Sequence, residues 1–234
     1  MGEMIIQDAR VEYPGDGVTL KAHVSIPQGV STCSAVMVIQ EWWGLNDHLK
    51  DVARRIAREG YLTIAPDLYS RLGHTVTADP QEAGQLMGRL SQENGLKDLK
   101  ATMKYLQGRR EVAGRKIGVT GFCMGGGYAL MLPCVSTEIS AAVPFYGPVP
   151  NPDTPLQHLA APVLYVYGED DGWITHADVE RLRNALAHYQ KVGEVKTYPG
   201  CPHAFFNDTR SDVFKPQEAA DAWDRMIDFF HRYL

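Results

Sequence analysis

The stretch Gly121-Phe122-Cys123-Met124-Gly125 sets one cysteine between glycines, directly after an apolar, β-branched run and directly before a helix-forming segment. This is the G-x-nucleophile-x-G pattern of a tight strand-to-helix turn, in which flanking glycines relieve crowding and the central side chain projects above a sheet. The start of the following helix supplies N–H groups and a positive dipole end, which favour a thiolate at Cys123 and an oxyanion beside it. Read alone, the pattern fits a small buried filler. A nucleophile also needs a base, and the base needs an acid to orient it.

Both follow in the chain order nucleophile, acid, histidine. Gly168-Glu169-Asp170-Asp171-Gly172-Trp173 comes directly after an apolar run, where a carboxylate at the end of a parallel strand can reach a histidine. The spacing from Gly168 favours Asp171 over Asp170. His203 stands in Tyr198-Pro199-Gly200-Cys201-Pro202-His203-Ala204-Phe205-Phe206, a loop between the last strand and the final helix, and it alone of the 8 histidines holds that place. His48, His176 and His188 fall on or at the ends of helices and read as surface groups. In this order His203 takes the thiol proton, Asp171 stabilises the imidazolium, and an acyl-cysteine forms and is hydrolysed.

The elements that must position these residues follow from periodicity. Apolar, β-branched runs at 35–39, 61–65, 116–120, 139–146, 162–167 and 194–198 predict strands, and residues 18–26 alternate as a half-exposed antiparallel strand at the sheet edge. Helices are predicted after Asn46-Asp47 through Arg58, after Ser91 through Leu106, and over 176–189 and 216–233. The alternation predicts an α/β class, a mostly parallel central sheet with helices on both faces, in a single domain over 1–234. The Pro-rich segment 144–155 reads as a long loop able to form a pocket wall.

Composition narrows the partners. The chain has 234 residues, 44% of them hydrophobic, and a formal net charge of -5 from interspersed charges, so it offers no basic footprint for nucleic acid or an anionic membrane. Neither a signal segment nor a membrane-length apolar run is evident, which gives a cytoplasmic expectation. The 4 cysteines form no CxxC pair or disulfide framework, and neither a metal nor another cofactor is implied. A monomer is the default expectation.

The residues resemble the dienelactone hydrolase family, α/β-hydrolases with a cysteine in place of serine. The resemblance runs over nearly the whole chain and rests on Gln40-Glu41-Trp42-Trp43-Gly44-Leu45-Asn46, Pro66-Asp67-Leu68-Tyr69, Gly121-Phe122-Cys123-Met124-Gly125-Gly126 and Pro202-His203-Ala204-Phe205. It implies the triad Cys123, Asp171 and His203, with Glu41 contacting the resting thiol until substrate displaces it. Without the family, Glu41 reads as a capping or surface carboxylate. The oxyanion hole expected of the fold is the backbone N–H of Met124 with that of Trp42.

Family members that hydrolyse dienelactone hold its carboxylate with two arginines, one shortly after the catalytic histidine and one in the helical segment after the PDLY strand. Here Ala204, Phe205, Phe206 and Asn207 follow His203, leaving Arg210 as a distant substitute; for the second clamp there are only Arg71 and Arg89. Aromatic residues fall on the loops at strand ends instead: Trp42, Trp43, Tyr69, Tyr146, Trp173, Phe205 and Phe206, about half of which should face a pocket. The expected substrate is therefore a small neutral, apolar or aryl ester or lactone, with activated phosphotriesters as a side activity. The rival reading is a ligand-binding or thiol redox-sensing protein on the same fold.

Overall fold

Alternating side chains over Ile6–Pro14 and Thr19–Pro27 build an antiparallel hairpin, β1 and β2, with Ala9 opposite Val24 and Tyr13 opposite Leu20. The computed structural model describes residues 4–234. They fall into two units, one running up to Gly118 and one from Val119 to Leu234.

In the first unit the strand order is β1-β2-β4-β3, with β3 at Ala35–Ile39 and β4 at Leu62–Pro66. β2 runs antiparallel to β4, and β3 parallel to it. Every residue of β3 and β4 is buried, which is why both read as unbroken apolar runs rather than alternating ones. The sequence places its antiparallel strand at the edge; the structure corrects this, because β1 lies outside β2. The short alternation Ala9, Val11, Tyr13 is the signal for that extra strand, and only Tyr13 of the three is fully buried.

α1 (Asp47–Arg58) starts where the Asn46 side chain accepts the Leu49 N–H, and it carries Asp47 in its first turn and Arg55 and Arg58 in its last, in accord with the helix dipole. Leu49, Val52, Ala53 and Ile56 recur at helical spacing on its buried face. α2 (Pro80–Arg89), capped by Asp79, is an addition to the helices that periodicity gives; α3 (Gln92–Gln107) starts at the Ser91 cap.

β5 (Ile117–Phe122) leads into the second unit, whose strand order is β5-β6-β7-β8, with β6 at Ile139–Phe145, β7 at Val163–Gly168 and β8 at Gly193–Tyr198. β7 is parallel to both of its neighbours. α4 (Met124–Val135) is apolar all round, and all but its last residue are buried, as befits a helix enclosed by its own unit. α5 (His176–His188) opens on a capping box between Thr175 and Asp178, and α6 (Pro216–Tyr233) ends the chain.

Candidate active site

Cys123 directly follows β5 and caps α4 with φ 56 and ψ -119, a backbone conformation that costs a non-glycine residue about 1–3 kcal/mol. Its surroundings hold it there. The Cys123 N–H donates to Phe145 O at 3.1 Å, and its carbonyl accepts from Gly126 N at 2.9 Å and Gly127 N at 3.3 Å. A Cβ on Gly126 would stand 2.3 Å from Phe145 O, and one on Gly147 would stand 2.1 Å from the carbonyl carbon of Gly126. The first turn of α4 thus lies directly on the backbone after β6, a contact open only to glycine pairs. The thiol is nearly enclosed, with Cys123 5% exposed.

The carboxylate that meets His203 is Asp171. Its Oδ1 accepts from the N–H groups of Trp173 and Ile174, both at 2.8 Å, and its Oδ2 lies 2.7 Å from His203 Nδ1. Asp170 is exposed, and its backbone N–H donates to Cys201 O at 3.0 Å. That bond, together with Glu169 N to Tyr198 O at 2.9 Å, fastens the acid turn to the histidine loop. A Cβ on Gly168 would meet Cys201 O at 2.4 Å, so at this point the backbones of the two loops are in direct contact.

With Nδ1 committed to Asp171, the other ring nitrogen is left to react. His203 Nε2 is buried and makes no hydrogen bond among the described residues. Two rings fix the imidazole plane edge-on: Tyr146 at 5.0 Å between centroids and Trp173 at 5.2 Å. Tyr146, itself at φ 38, also contacts Phe122, and Phe122 stacks on Phe206 at 5.2 Å. These aromatic contacts tie the residue before Cys123 to the loop that carries His203. An imidazole so held can accept a proton at Nε2 while its cationic form is stabilised from the opposite side.

In the first unit Glu41 follows β3 and is 1% exposed. Gln40 Oε1 accepts the Leu68 N–H at 3.2 Å, and Tyr69 OH donates to Trp42 O at 2.8 Å, which fixes the orientation of the Trp42 carbonyl. Trp42 and Trp43 are half-buried and pack edge to face. The aromatic residues divide by burial: Tyr69, Tyr146, Phe205 and Phe206 are buried, and Trp173 is 43% exposed.

The arginines are engaged elsewhere. Arg71 makes a bidentate pair with the buried Asp98, at 2.8 Å from Nε and 2.7 Å from Nη2, and these hydrogen bonds push its guanidinium pKa up. Arg71, expected as a substrate contact, thus has two of its donors engaged within the protein. Arg210 pairs with Asp212, and Arg89 is exposed at the end of α2. The remaining cysteines are poor nucleophiles: burial pushes Cys134 up to about 12 and Cys201 up to about 11, and raises Cys33 as well. Among the described residues no group of His, Cys, Asp and Glu could hold a metal ion, and no helix is long and apolar enough to cross a membrane.

Sequence reasoning missed the backbone supports of the Cys123 turn. The middle glycine of Gly125-Gly126-Gly127 and the Tyr146-Gly147 step were the available signals for the close backbone contact under Cys123.

Comparison with known proteins decides the family. The sequence model of the dienelactone hydrolase family matches residues 20–234. This chain belongs to the dienelactone hydrolase family. A relative from Saccharolobus solfataricus, provisionally named a carboxymethylenebutenolidase, is 32% identical and covers 96% of this chain and 98% of its own. A crystal structure from Klebsiella pneumoniae, provisionally named a dienelactone hydrolase, has 30% identity and a TM-score of 0.92 over 98% of this chain and 100% of that one. A dienelactone hydrolase-like promiscuous phosphotriesterase from metagenomic libraries shares the fold, with 22% identity and a TM-score of 0.88 over 97% and 98% of the two chains. The protein is an α/β-hydrolase-type enzyme of the dienelactone hydrolase family, acting on carboxylic esters or lactones.

Proposed function

We propose that this dienelactone hydrolase family enzyme cleaves small neutral esters and lactones through an acyl-cysteine intermediate on Cys123, with His203 as base and Asp171 as its orienting acid. The observation that carries the proposal is the His203 imidazole, held at Nδ1 by Asp171 with its buried Nε2 unengaged, in the unit that also holds the strained Cys123 turn. The thiol proton passes to Nε2 as sulfur bonds to the substrate carbonyl carbon. The carbonyl oxygen becomes an oxyanion, received by the backbone N–H of Met124 and, by the family resemblance, that of Trp42. Such donors each contribute about 3–4 kcal/mol to the tetrahedral intermediate. Collapse breaks the ester C–O bond and returns the proton to the leaving alkoxide. Water then attacks the thioester with His203 again taking the proton, and the sulfur leaves and is reprotonated.

Glu41 enters by family resemblance as the carboxylate that holds the resting thiol. A buried carboxylate there disfavours a standing thiolate and so limits oxidation between turnovers. Preference for neutral substrates is supported by the bidentate engagement of Arg71 with the buried Asp98 and by the apolar residues that follow His203. Trp42, Trp43 and Trp173 are the rings proposed to meet an aryl or alkyl group; Tyr69, Tyr146, Phe205 and Phe206 are proposed to back them from the core. Slow turnover of activated phosphotriesters is proposed as a side activity, in line with the metagenomic relative. The protein is proposed to act as a single-domain cytoplasmic monomer on small molecules, without nucleic acid, membrane or cofactor.

The test compares nitrophenol release from a short-chain nitrophenyl ester by the native enzyme and by Cys123→Ala. Turnover lost in the variant, with a stoichiometric acyl-enzyme trapped in the native protein, is the expected result. Equal rates would remove Cys123 from the mechanism, and peroxide oxidation of Cys123 without ester turnover would replace the enzyme with a thiol sensor.

A further inference from the structure

A cavity of about 540 Å³ opens within the first unit, and none of Cys123, Asp171 and His203 lines it. Its size falls in the range of small-molecule sites, roughly 300–1,000 Å³. The hairpin β1–β2, the start of α1 and the segment after β4 form its walls.

Its charge runs against that of the protein. The chain carries -5, yet Arg10, Lys21 and Lys50 face the cavity against only two carboxylates, Glu12 and Asp67. Both carboxylates have partners. Asp67 accepts from Tyr69 N at 2.9 Å and meets His74 Nδ1 at 2.9 Å, while Glu12 lies 3.7 Å from Lys21. The Glu12–Lys21 pair is solvent-exposed at both ends, so it holds Lys21 weakly. Lys50 has one contact on the exposed Asp47, at 2.8 Å. An ammonium has three donors and a guanidinium five, so donors remain for an incoming anion.

The far wall is fixed in shape. His74 sits at φ 61 after Gly73 at φ 100, its N–H donating to Tyr69 O at 3.0 Å. Thr77 N donates to Trp43 O at 3.0 Å, and Thr75 O lies where a Cβ of Gly44 would be, at 2.3 Å. A non-glycine residue kept in this left-handed conformation persists only when its surroundings over-determine it, and such strain clusters where ligands bind. Between the charged groups lie apolar ones: Val11, Leu45 and Val76, the last 53% exposed.

We propose that this cavity is a second, non-catalytic site for a small organic carboxylate with a short apolar body, its charge met by Arg10, Lys21 and Lys50 and its body by Val11, Leu45 and Val76. Inorganic phosphate supplies the charge without the body, and a neutral amide the body without the charge. The acid released by ester or lactone hydrolysis belongs to the ligand class, so the site can sense product.

The probe is sodium benzoate, with benzamide and inorganic phosphate as controls, titrated at low ionic strength against the full chain with amide chemical shifts as readout. Saturable binding is expected, with shifts at Val11, Leu45 and Val76. Binding should be at least tenfold weaker for benzamide and for phosphate, and weaker in added salt. The Arg10→Glu/Lys21→Glu protein should bind benzoate at least tenfold more weakly with ester turnover unchanged, and alkylation of Cys123 should leave benzoate binding intact. Val76→Asp, at an exposed position, should weaken binding likewise and covers the case in which the double variant fails to fold. The proposal is overturned if benzoate does not saturate, if benzamide or phosphate binds as tightly, if folded charge variants keep full affinity, or if alkylating Cys123 abolishes binding.

Discussion

Nδ1 of His203 lies 2.7 Å from Oδ2 of Asp171, and the other oxygen of that carboxylate accepts two main-chain N–H groups, from Trp173 and Ile174. The acid is therefore oriented by its own turn before it meets the imidazole. In Asp171→Asn the amide can keep an oxygen toward those N–H groups only by turning its NH2 toward Nδ1, which forces the wrong tautomer on His203. Ester turnover should fall on the order of 10³–10⁴-fold, with the circular dichroism spectrum unchanged. A loss smaller than tenfold would remove Asp171 from its assigned role.

Selective alkylation is expected because the other three cysteines are held as thiols. Cys33, Cys134 and Cys201 all have their pKa values pushed up by burial, which leaves them as thiols at neutral pH. Brief iodoacetamide treatment of the folded enzyme should modify Cys123 alone, in step with loss of activity. Peptide mapping that finds any other cysteine modified first would contradict this.

Gly147→Ala tests the backbone contact under the nucleophile. The added methyl would lie 2.1 Å from the carbonyl carbon of Gly126, and the atoms it meets are main chain, which cannot rotate away. Overpacking of this kind costs about 1–3 kcal/mol, so the urea midpoint should drop and kcat should fall with it. Gly88→Ala, in α2 where nothing lies within 4 Å, is the control: kcat should be unchanged and the midpoint should not drop, since alanine gains about 1 kcal/mol over glycine in a helix.

His23 gives stability a pH dependence of known sign. Burial lowers its pKa from the ordinary 6.5; Asp8 works in the opposite direction, and Arg54 and Lys50 add to the lowering. The folded state thus binds this proton less readily than the unfolded chain. The contribution of neutral His23 is present above pH 6.5 and is lost as the pH falls through the lowered folded value. Urea midpoints at pH 7.5 and 5.5 should differ more for the native protein than for His23→Asn; equal differences would refute the assignment.

The turns that carry the proposed triad were legible because the sequence punctuates each of them. Gly121 and Gly125 bracket Cys123, Gly168 and Gly172 bracket the acid turn, and Pro202 precedes His203. Direction was not legible. Tyr69, Phe205 and Phe206 stand on loops at strand ends, but packing turns them inward, with Phe206 drawn onto Phe122 and Phe145. Arg71 looked available because its partner Asp98 lies 27 residues away on another element. The strand β1 was hidden because most of its side chains are at least partly exposed, leaving only a brief period-two pattern to mark it.

The positive φ of 56 at Cys123 also sets a trade-off between activity and folding. Glycine adopts that conformation freely, whereas a residue with a Cβ does so at a cost of about 1–3 kcal/mol. Cys123→Gly, though inactive, should therefore melt above Cys123→Ala, and the gap between the two melting curves measures the conformational energy that the fold stores to keep a side chain at this turn. Selection for thermal stability alone would drive this position toward glycine; only selection for chemistry keeps the thiol in place.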